Sequence, residues 1–405
     1  MKKRQLLAAA LACAWLAPAY AQLNCNKSFG FRADVGTTVG QTLCSSTVTT
    51  FIDAAKNLNL SNPGYTNNSA ATVAGRISDV SVILRYDANS SALHYNFPEL
   101  GMTGNFNGGT RDLSEEQFVE YLKKTDIIGR IMNYQAKHSP TSALTGQGGA
   151  FLNMAGTDFG QAFDTASQIA APGGADSTGN NNLIGVGLSY GSYNINGSGD
   201  RVKSTNLPLS YTIRNDKDSR QQLVFSVPLS MTKIGDADVY QAGLGLTYRQ
   251  PITSRWTLSP GVRFTAVGSV DRATVSTVMS ANVMSTYLIP AGAYTVAIGN
   301  MVGLYRTGKI SSGDYSFDPD ISATLLRNGV MLSMPTGATM ATEVSLIDTR
   351  YAGGDKPYVR DTQEVGITVG TNRNAANARS FLRAGVSYVH SKDSKGFTVN
   401  LGYWF

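Results

Sequence analysis

The stretch that most constrains this chain is its end, GFTVNLGYWF. Phe397, Val399, Leu401, Tyr403 and Phe405 take every second position, with Gly396, Thr398, Asn400 and Gly402 between them. A β-strand sends successive side chains to opposite faces, so this alternation gives one oily, aromatic face and one small, polar face. The end of a soluble chain is usually frayed and tolerant of change. Here it is the most strictly patterned stretch of the sequence.

The same pattern recurs upstream. From Leu183 onward, alternating segments of roughly ten residues are separated by turns rich in Gly, Asp, Asn, Ser and Lys, the signature of strands that cross a bilayer. Ile184, Val186, Leu188 and Tyr190 alternate with Gly185, Gly187, Ser189 and Gly191. Leu207, Leu209, Tyr211 and Ile213 precede the turn RNDKDSR, and Leu223, Phe225, Val227, Leu229 and Met231 follow it. Tyr240, Ala242, Leu244, Leu246 and Tyr248 form the next set, then Trp256, Leu258, Val262, Phe264 and Ala266. Residues 275–287, 294–306, 321–334, 342–351, 362–371 and 381–390 read as further strands. The total is about twelve, and single-chain barrels of this kind prefer an even number.

A soluble β-sandwich also alternates, because one face packs a core. Three features favour a barrel in lipid. The polar face is Gly/Ser/Thr-rich with few charges, Tyr or Trp stands near several strand ends, and the last strand ends on Phe405. In hydrocarbon an open sheet would leave backbone groups unpaired at its edges, and closure removes the edges. The expected fold is therefore all-β: a transmembrane antiparallel β-barrel of about 12 strands, spanning residues 181–405, preceded by a small mixed α/β N-terminal domain.

The start of the chain fits export. Lys2, Lys3 and Arg4 precede a short apolar run over residues 6–16, and Ala19-Tyr20-Ala21 fits a small-x-small cleavage site. Residues 1–21 are expected to be a cleaved signal peptide read by the Sec translocon, too short to span a membrane. Ala10-Leu11-Ala12 before Cys13 is a poor lipobox, so the plain signal is preferred. The mature chain then keeps Cys25 and Cys44, an even pair expected to form a disulfide in an oxidising compartment.

Residues 22–180 have another character, and are expected to be a passenger or a plug with a linker. SDVSVILRYD and SALHYNF read as a hairpin. LSEEQFVEYLKKTDIIGRIMNYQAKHSP reads as one helix, with Ser114 and Gln117 as a capping box and Phe118, Tyr121, Leu122, Ile128 and Ile131 on one face. A shorter helix is expected over residues 158–169, stopped by Pro172. The polar linker PGGADSTGNNN follows. That short helix either occupies the lumen or packs outside it.

Chemistry is sparse. GLSYG matches a nucleophile-elbow pattern, but the elbow needs a strand-to-helix turn and Ser189 lies within an alternating strand. His390 is near Ser387 and Asp393, yet His390 and Ser387 have opposite strand parity, so they do not form a nucleophile–base pair. His94 and His138 have no partners at metal-ligand spacing. No catalytic, metal or cofactor site is expected, and an outer-membrane lipid hydrolase is the least favoured reading. By parity Arg263, Arg383, Glu343 and Glu364 share the polar face as lumen charges, which either pair or bias ion passage. The net charge of +6 comes without the interleaved basic and aromatic stripe of a nucleic-acid binder.

The final strand resembles the β-signal of bacterial outer-membrane proteins, which ends on an aromatic residue with hydrophobic residues alternating before it. Phe397, Val399, Leu401, Tyr403 and Phe405 match it throughout. The resemblance implies an outer membrane of a Gram-negative bacterium, outer-membrane lipid around the barrel, and recognition by the barrel-assembly machinery. Over residues 155–405 the layout resembles autotransporters: signal, N-terminal domain, helix-linker and C-terminal barrel. It implies a barrel that anchors or exports the N-terminal domain. The candidate passenger is short and lacks a repetitive stalk. The long-chain fatty-acid channel family, whose N-terminal segment plugs its own barrel, is similar in the same layout and implies a channel for small or hydrophobic solutes.

Overall fold

The computed structural model describes residues 23, 25–77, 80–165, 182–312, 315–371 and 381–405. The expected signal peptide, residues 1–21, and the polar linker except Asn182 lie outside the described residues.

Twelve antiparallel strands close into a barrel. The first six are β7 (Leu183–Ile195), β8 (Val202–Arg214), β9 (Gln222–Ile234), β10 (Ala237–Pro251), β11 (Trp256–Ser269) and β12 (Thr274–Ala291). The rest are β13 (Tyr294–Gly308), β16 (Ser322–Pro335), β17 (Met340–Gly354), β18 (Asp361–Thr371), β19 (Phe381–His390) and β20 (Ser394–Trp404). A short hairpin, β14 (Ile310–Ser312) and β15 (Tyr315–Phe317), decorates one loop. The ring closes where β20 pairs with β7, from Ser394↔Ile195 to Trp404↔Gly185. The Phe405 N–H donates to the Ile184 carbonyl at 3.0 Å and receives the reciprocal bond at 2.8 Å.

Because the strand number is even, Leu183 and Phe405 stand at one mouth, the near mouth. The turns after β7, β9, β11, β13, β17 and β19 form the far mouth. The alternation separates outside from inside. Leu188, Leu244, Leu304, Leu346, Val365 and Phe397 are all exposed on the outer wall. Their inward neighbours are largely Ser, Thr, Asn and Gly, with a minority of apolar and basic side chains. Tyr211, Tyr248, Tyr287, Tyr294 and Tyr403 lie on the outer wall toward the near mouth. Among the described residues no helix is long and apolar enough to cross a membrane.

Ahead of the barrel lies a six-stranded antiparallel sheet. Its strands are β1 (Phe29–Val35), β2 (Leu43–Ser45), β3 (Ala71–Ile77), β4 (Val80–Tyr86), β5 (Leu93–Phe97) and β6 (Met102–Phe106), in spatial order β2-β1-β3-β4-β5-β6. The expected hairpin is β4–β5. Cys25 and Cys44 form a disulfide with Cα atoms 5.9 Å apart. Helix α1 (Val48–Lys56) lies against β1 and β2. Helices α2 (Arg111–Lys124) and α3 (Ile127–His138) follow β6. Tyr95, Phe97, Phe106, Phe118 and Tyr121 form an aromatic cluster with ring centroids 5.3–6.4 Å apart.

Two helix expectations need correction. The stretch around residues 113–140 is two helices, because Thr125 turns extended (φ −104°, ψ 150°) and its hydroxyl donates back to the Tyr121 carbonyl. The cap is Thr110, whose side chain accepts from the Leu113 N–H at 3.2 Å. Ser114 is fully buried and instead donates to the Ser91 carbonyl at 2.6 Å. The shorter helix, α4 (Ala150–Phe163), starts eight residues before the expected position of Asp158. Gly156 and Gly160 within it disfavour a helix by propensity. Packing inside the barrel overrides that cost.

Candidate functional site

The N-terminal domain is seated on the far mouth. Asp200, in the turn after β7, accepts from Lys27 Nζ at 3.1 Å, Ser28 Oγ at 3.1 Å and Ser46 Oγ at 2.8 Å. The side chains of Asn133 and Asp126 meet backbone groups of Pro319 and Asp318 beyond β15. Lys137 pairs with Asp355 at 2.9 Å. The Asp200 donors come from segments flanking the disulfide, so the Cys25–Cys44 bridge holds together the two arms that grip the barrel.

From this cap the chain dives inward. Near the far mouth, the Gly148 carbonyl accepts from Thr232 Oγ1 at 3.0 Å and from Gln241 Nε2 at 3.3 Å. Helix α4 then runs down the lumen, leaning on β11, β12, β13 and β16. Its last turn reaches the near-mouth level, where Arg249 of β10 donates to the Gln161 carbonyl and Arg383 of β19 to the Asp164 carbonyl. The last carbonyls of a helix lack intrahelical partners and carry partial negative charge, so arginines are well placed there.

Side chains fix the helix on its apolar and polar sides. Phe159 and Phe163 pack in a tilted pair, ring centroids 4.7 Å apart, and press on the wall at Gly299 and Gly329. Those glycines are register partners on β13 and β16. A Cβ on Gly299 would fall 2.6 Å from the Phe163 ring, and one on Gly329 would fall 2.8 Å from Phe159. The missing side chains are therefore what admits the two rings. Phe151 packs on Tyr305, with ring centroids 5.8 Å apart.

Asp158 is 5% exposed and is met by Arg263 Nε at 2.7 Å and Asn282 Nδ2 at 3.0 Å. Glu343 is held by Arg383 and accepts from Ser333 Oγ at 3.2 Å. Arg327 bonds Glu364 at 2.8 Å and Thr349 at 2.7 Å, and lies over the Phe159 ring at 5.3 Å. Buried charges are tolerated when they are paired and hydrogen-bonded. Here the pairing ties wall to wall and wall to helix.

Arg263, Arg383, Glu343 and Glu364 all lie inside the barrel, but they do not form one cluster. Arg383 and Glu343 pair with each other, while Arg263 goes to Asp158 and Glu364 to Arg327. Asp158, Asp164, Arg327 and Arg249 were missed by the sequence reading. The arginines share the inward parity of Arg263, which was a usable signal. Asp158 was hidden because it was placed at a helix start.

Phe397, Val399, Leu401, Tyr403 and Phe405 are exposed on the outer wall at the closing seam. Ser189 faces inward and accepts from Asn206 at 3.2 Å, with no histidine among its partners. Ser387 faces inward while His390 is exposed on the outer wall. His138 stacks on Tyr134 at 4.0 Å. Among the described residues no group of His, Cys, Asp or Glu is placed to hold a metal ion.

The helix does not fill the lumen. A cavity of about 320 Å³ remains beside α4, bounded by β7, β8, β9, β18, β19 and β20, with Arg249 of β10 and Arg327 of β16 also in its lining. It includes Ser189, Tyr193, Asn206, Gln222 and Asn400 in its lining.

No protein-family model matches the chain, and no curated protein does. Among solved structures, the chain is similar to the translocator domain of the autotransporter NalP from Neisseria meningitidis. The identity is 14% and the TM-score 0.43, over 63% of this chain and 95% of that one. The beta domain of the Bordetella autotransporter BrkA is 13% identical with a TM-score of 0.44, over 55% of this chain and 98% of that one. An outer membrane channel from Pseudomonas putida F1 is 15% identical with a TM-score of 0.39, over 58% and 98%. Translocators and a channel thus both stand among the barrels this chain is similar to.

Proposed function

We propose that this chain is a Gram-negative outer-membrane protein whose barrel anchors or exports its own N-terminal domain, in the manner of an autotransporter. The apolar outer wall supports the membrane. In water it would be an exposed patch far above the few hundred Å² that soluble monomers carry, whereas in lipid a closed barrel leaves no backbone group unpaired. The single observation that carries the export reading is the path of the chain. A folded domain sits on the far mouth, α4 runs through the lumen, and the barrel begins at the near mouth. If the near mouth is periplasmic, the domain is outside. The expected partners are the Sec translocon, the barrel-assembly machinery and outer-membrane lipid. The closing strand, with Phe397, Val399, Leu401, Tyr403 and Phe405, is proposed as the assembly signal.

The test is protease accessibility on intact cells, with an epitope tag at Thr66 in the exposed loop before β3. Shaving of the tag from intact cells is the expected result. Protection until the outer membrane is opened would place the domain in the periplasm and sink the export reading. A second reading, a solute channel plugged by residues 22–180, is favoured by the cavity beside α4. It requires that ion conductance in planar bilayers rise when that segment is deleted.

A further inference from the structure

Three lumen arginines have carboxylate partners and two do not. Arg263, Arg327 and Arg383 each meet an Asp or Glu. Arg214 and Arg249 make no ion pair among the described residues, yet both line the cavity toward its near-mouth end. The register explains why they are together. Arg214 on β8 and Arg249 on β10 are both aligned with Gln222 on the strand between them. Neighbouring strands are about 4.8 Å apart, so the two backbones that carry these guanidinium groups are roughly 10 Å apart.

Arg249 is 6% exposed. It gives one N–H to Gln222 Oε1 at 2.8 Å and another to the Gln161 carbonyl, and its Nε has no partner. Arg214 Nε is buried and also lacks a partner. Gln161, on the last turn of α4, faces the same space with both amide atoms buried and unpartnered. Unsatisfied donors on a buried cation, Arg249, and a half-buried one, Arg214, are costly unless something accepts from them. Capping the helix end accounts for Arg249. It does not account for Arg214, whose side chain makes no hydrogen bond among the described residues.

We propose that this corner of the cavity binds a small soluble oxyanion, a phosphate or carboxylate group, between Arg214, Arg249, Gln161 and Gln222. Guanidinium N–H groups pair with such anions through short charge-assisted bonds. The corner lies inside the wall, so the anion comes from solution and not from a lipid headgroup on the outer face. This inference stands apart from the export reading and holds whether or not the domain is surface-exposed.

The experiment is isothermal titration of inorganic phosphate into the full-length refolded protein in a non-ionic detergent. Wild type should show one saturable site. Arg214→Gln should weaken it at least ten-fold, while Arg220→Gln, in the turn after β8 and bonded to Asp218, should leave it unchanged. Arg249→Gln should behave like Arg214→Gln where gel mobility shows a folded barrel. If it does not fold, Arg214→Gln decides alone. Absence of a saturable site in wild type, or unchanged binding in Arg214→Gln, overturns the proposal. Binding of short-chain phosphatidic acid without binding of inorganic phosphate overturns it too, in favour of a lipid source.

Discussion

Asp158 shows how much a single side chain carries in this lumen. Its carboxylate is desolvated on all sides and is tolerated because Arg263 and Asn282 meet it. Arg263→Ala would leave that charge buried and unmatched, a change that typically costs roughly 3–5 kcal/mol. The expected outcome is a clear drop in thermal unfolding temperature in detergent. The double variant Arg263→Met/Asp158→Leu should recover most of it, because apolar isosteres often replace a buried pair without loss. Equal stability of Arg263→Ala and wild type would refute the role given to the pair. Outside the barrel, Asp126 gives a pH signature. Burial raises its carboxyl above the usual range, against the opposing hydrogen bond from the Asp318 N–H. The Asp318 carboxylate adds to the rise and Lys309 opposes it. A folded-state value above the unfolded one means that the folded protein holds the proton more tightly. Stability from this group is then gained as pH falls through the folded value and lost as pH rises through it. The protection factors of the loop amides around Asp318, taken relative to intrinsic exchange at each pH, should rise at mildly acidic pH. Asp126→Asn should flatten that dependence.

At the level of elements, the glycine pair and the helix were made for one another. Gly299→Ala should push Phe163 off the wall and cost about 1–3 kcal/mol, the usual penalty for overpacking. A matched Phe163→Leu in the same chain should relieve part of it, read as recovery of the unfolding midpoint. If Gly299→Ala alone is neutral, the wall is more forgiving than its geometry implies. This interlock was invisible in the sequence, where Gly299 and Gly329 read as ordinary small residues of a polar face. What was legible was whatever repeats. Strand alternation gave the barrel, its strand count and the inward parity of Arg263, Glu343, Glu364 and Arg383, because period two survives in every segment. The helix positions were misjudged where tertiary packing overrode local propensity, at Gly156, and where one extended residue, Thr125, split a continuous pattern. Ion-pair partners were not legible at all. Asp158 and Arg263 are 105 positions apart, and only the threading of α4 brings them together.

For the molecule as a whole, the seam between β20 and β7 decides whether there is a barrel. It joins the last strand to the first and is the longest-range pairing in the ring, so it forms late if local hairpins form first. Phe405→Ser should reduce the amount of folded protein in the outer membrane, measured by gel mobility without heating. Normal levels would count against the proposed assembly role of that strand. The threaded arrangement also has a mechanical consequence. A load applied to the N-terminal domain is borne along the axis of α4, so its ion pairs and its ring-to-glycine contacts are sheared together and not peeled one at a time. The domain is held on one mouth through Asp200, while α4 ends and β7 begins at the level of the other. Such a tether can be cut or unfolded, but it cannot slide free while the hoop of strands stays closed.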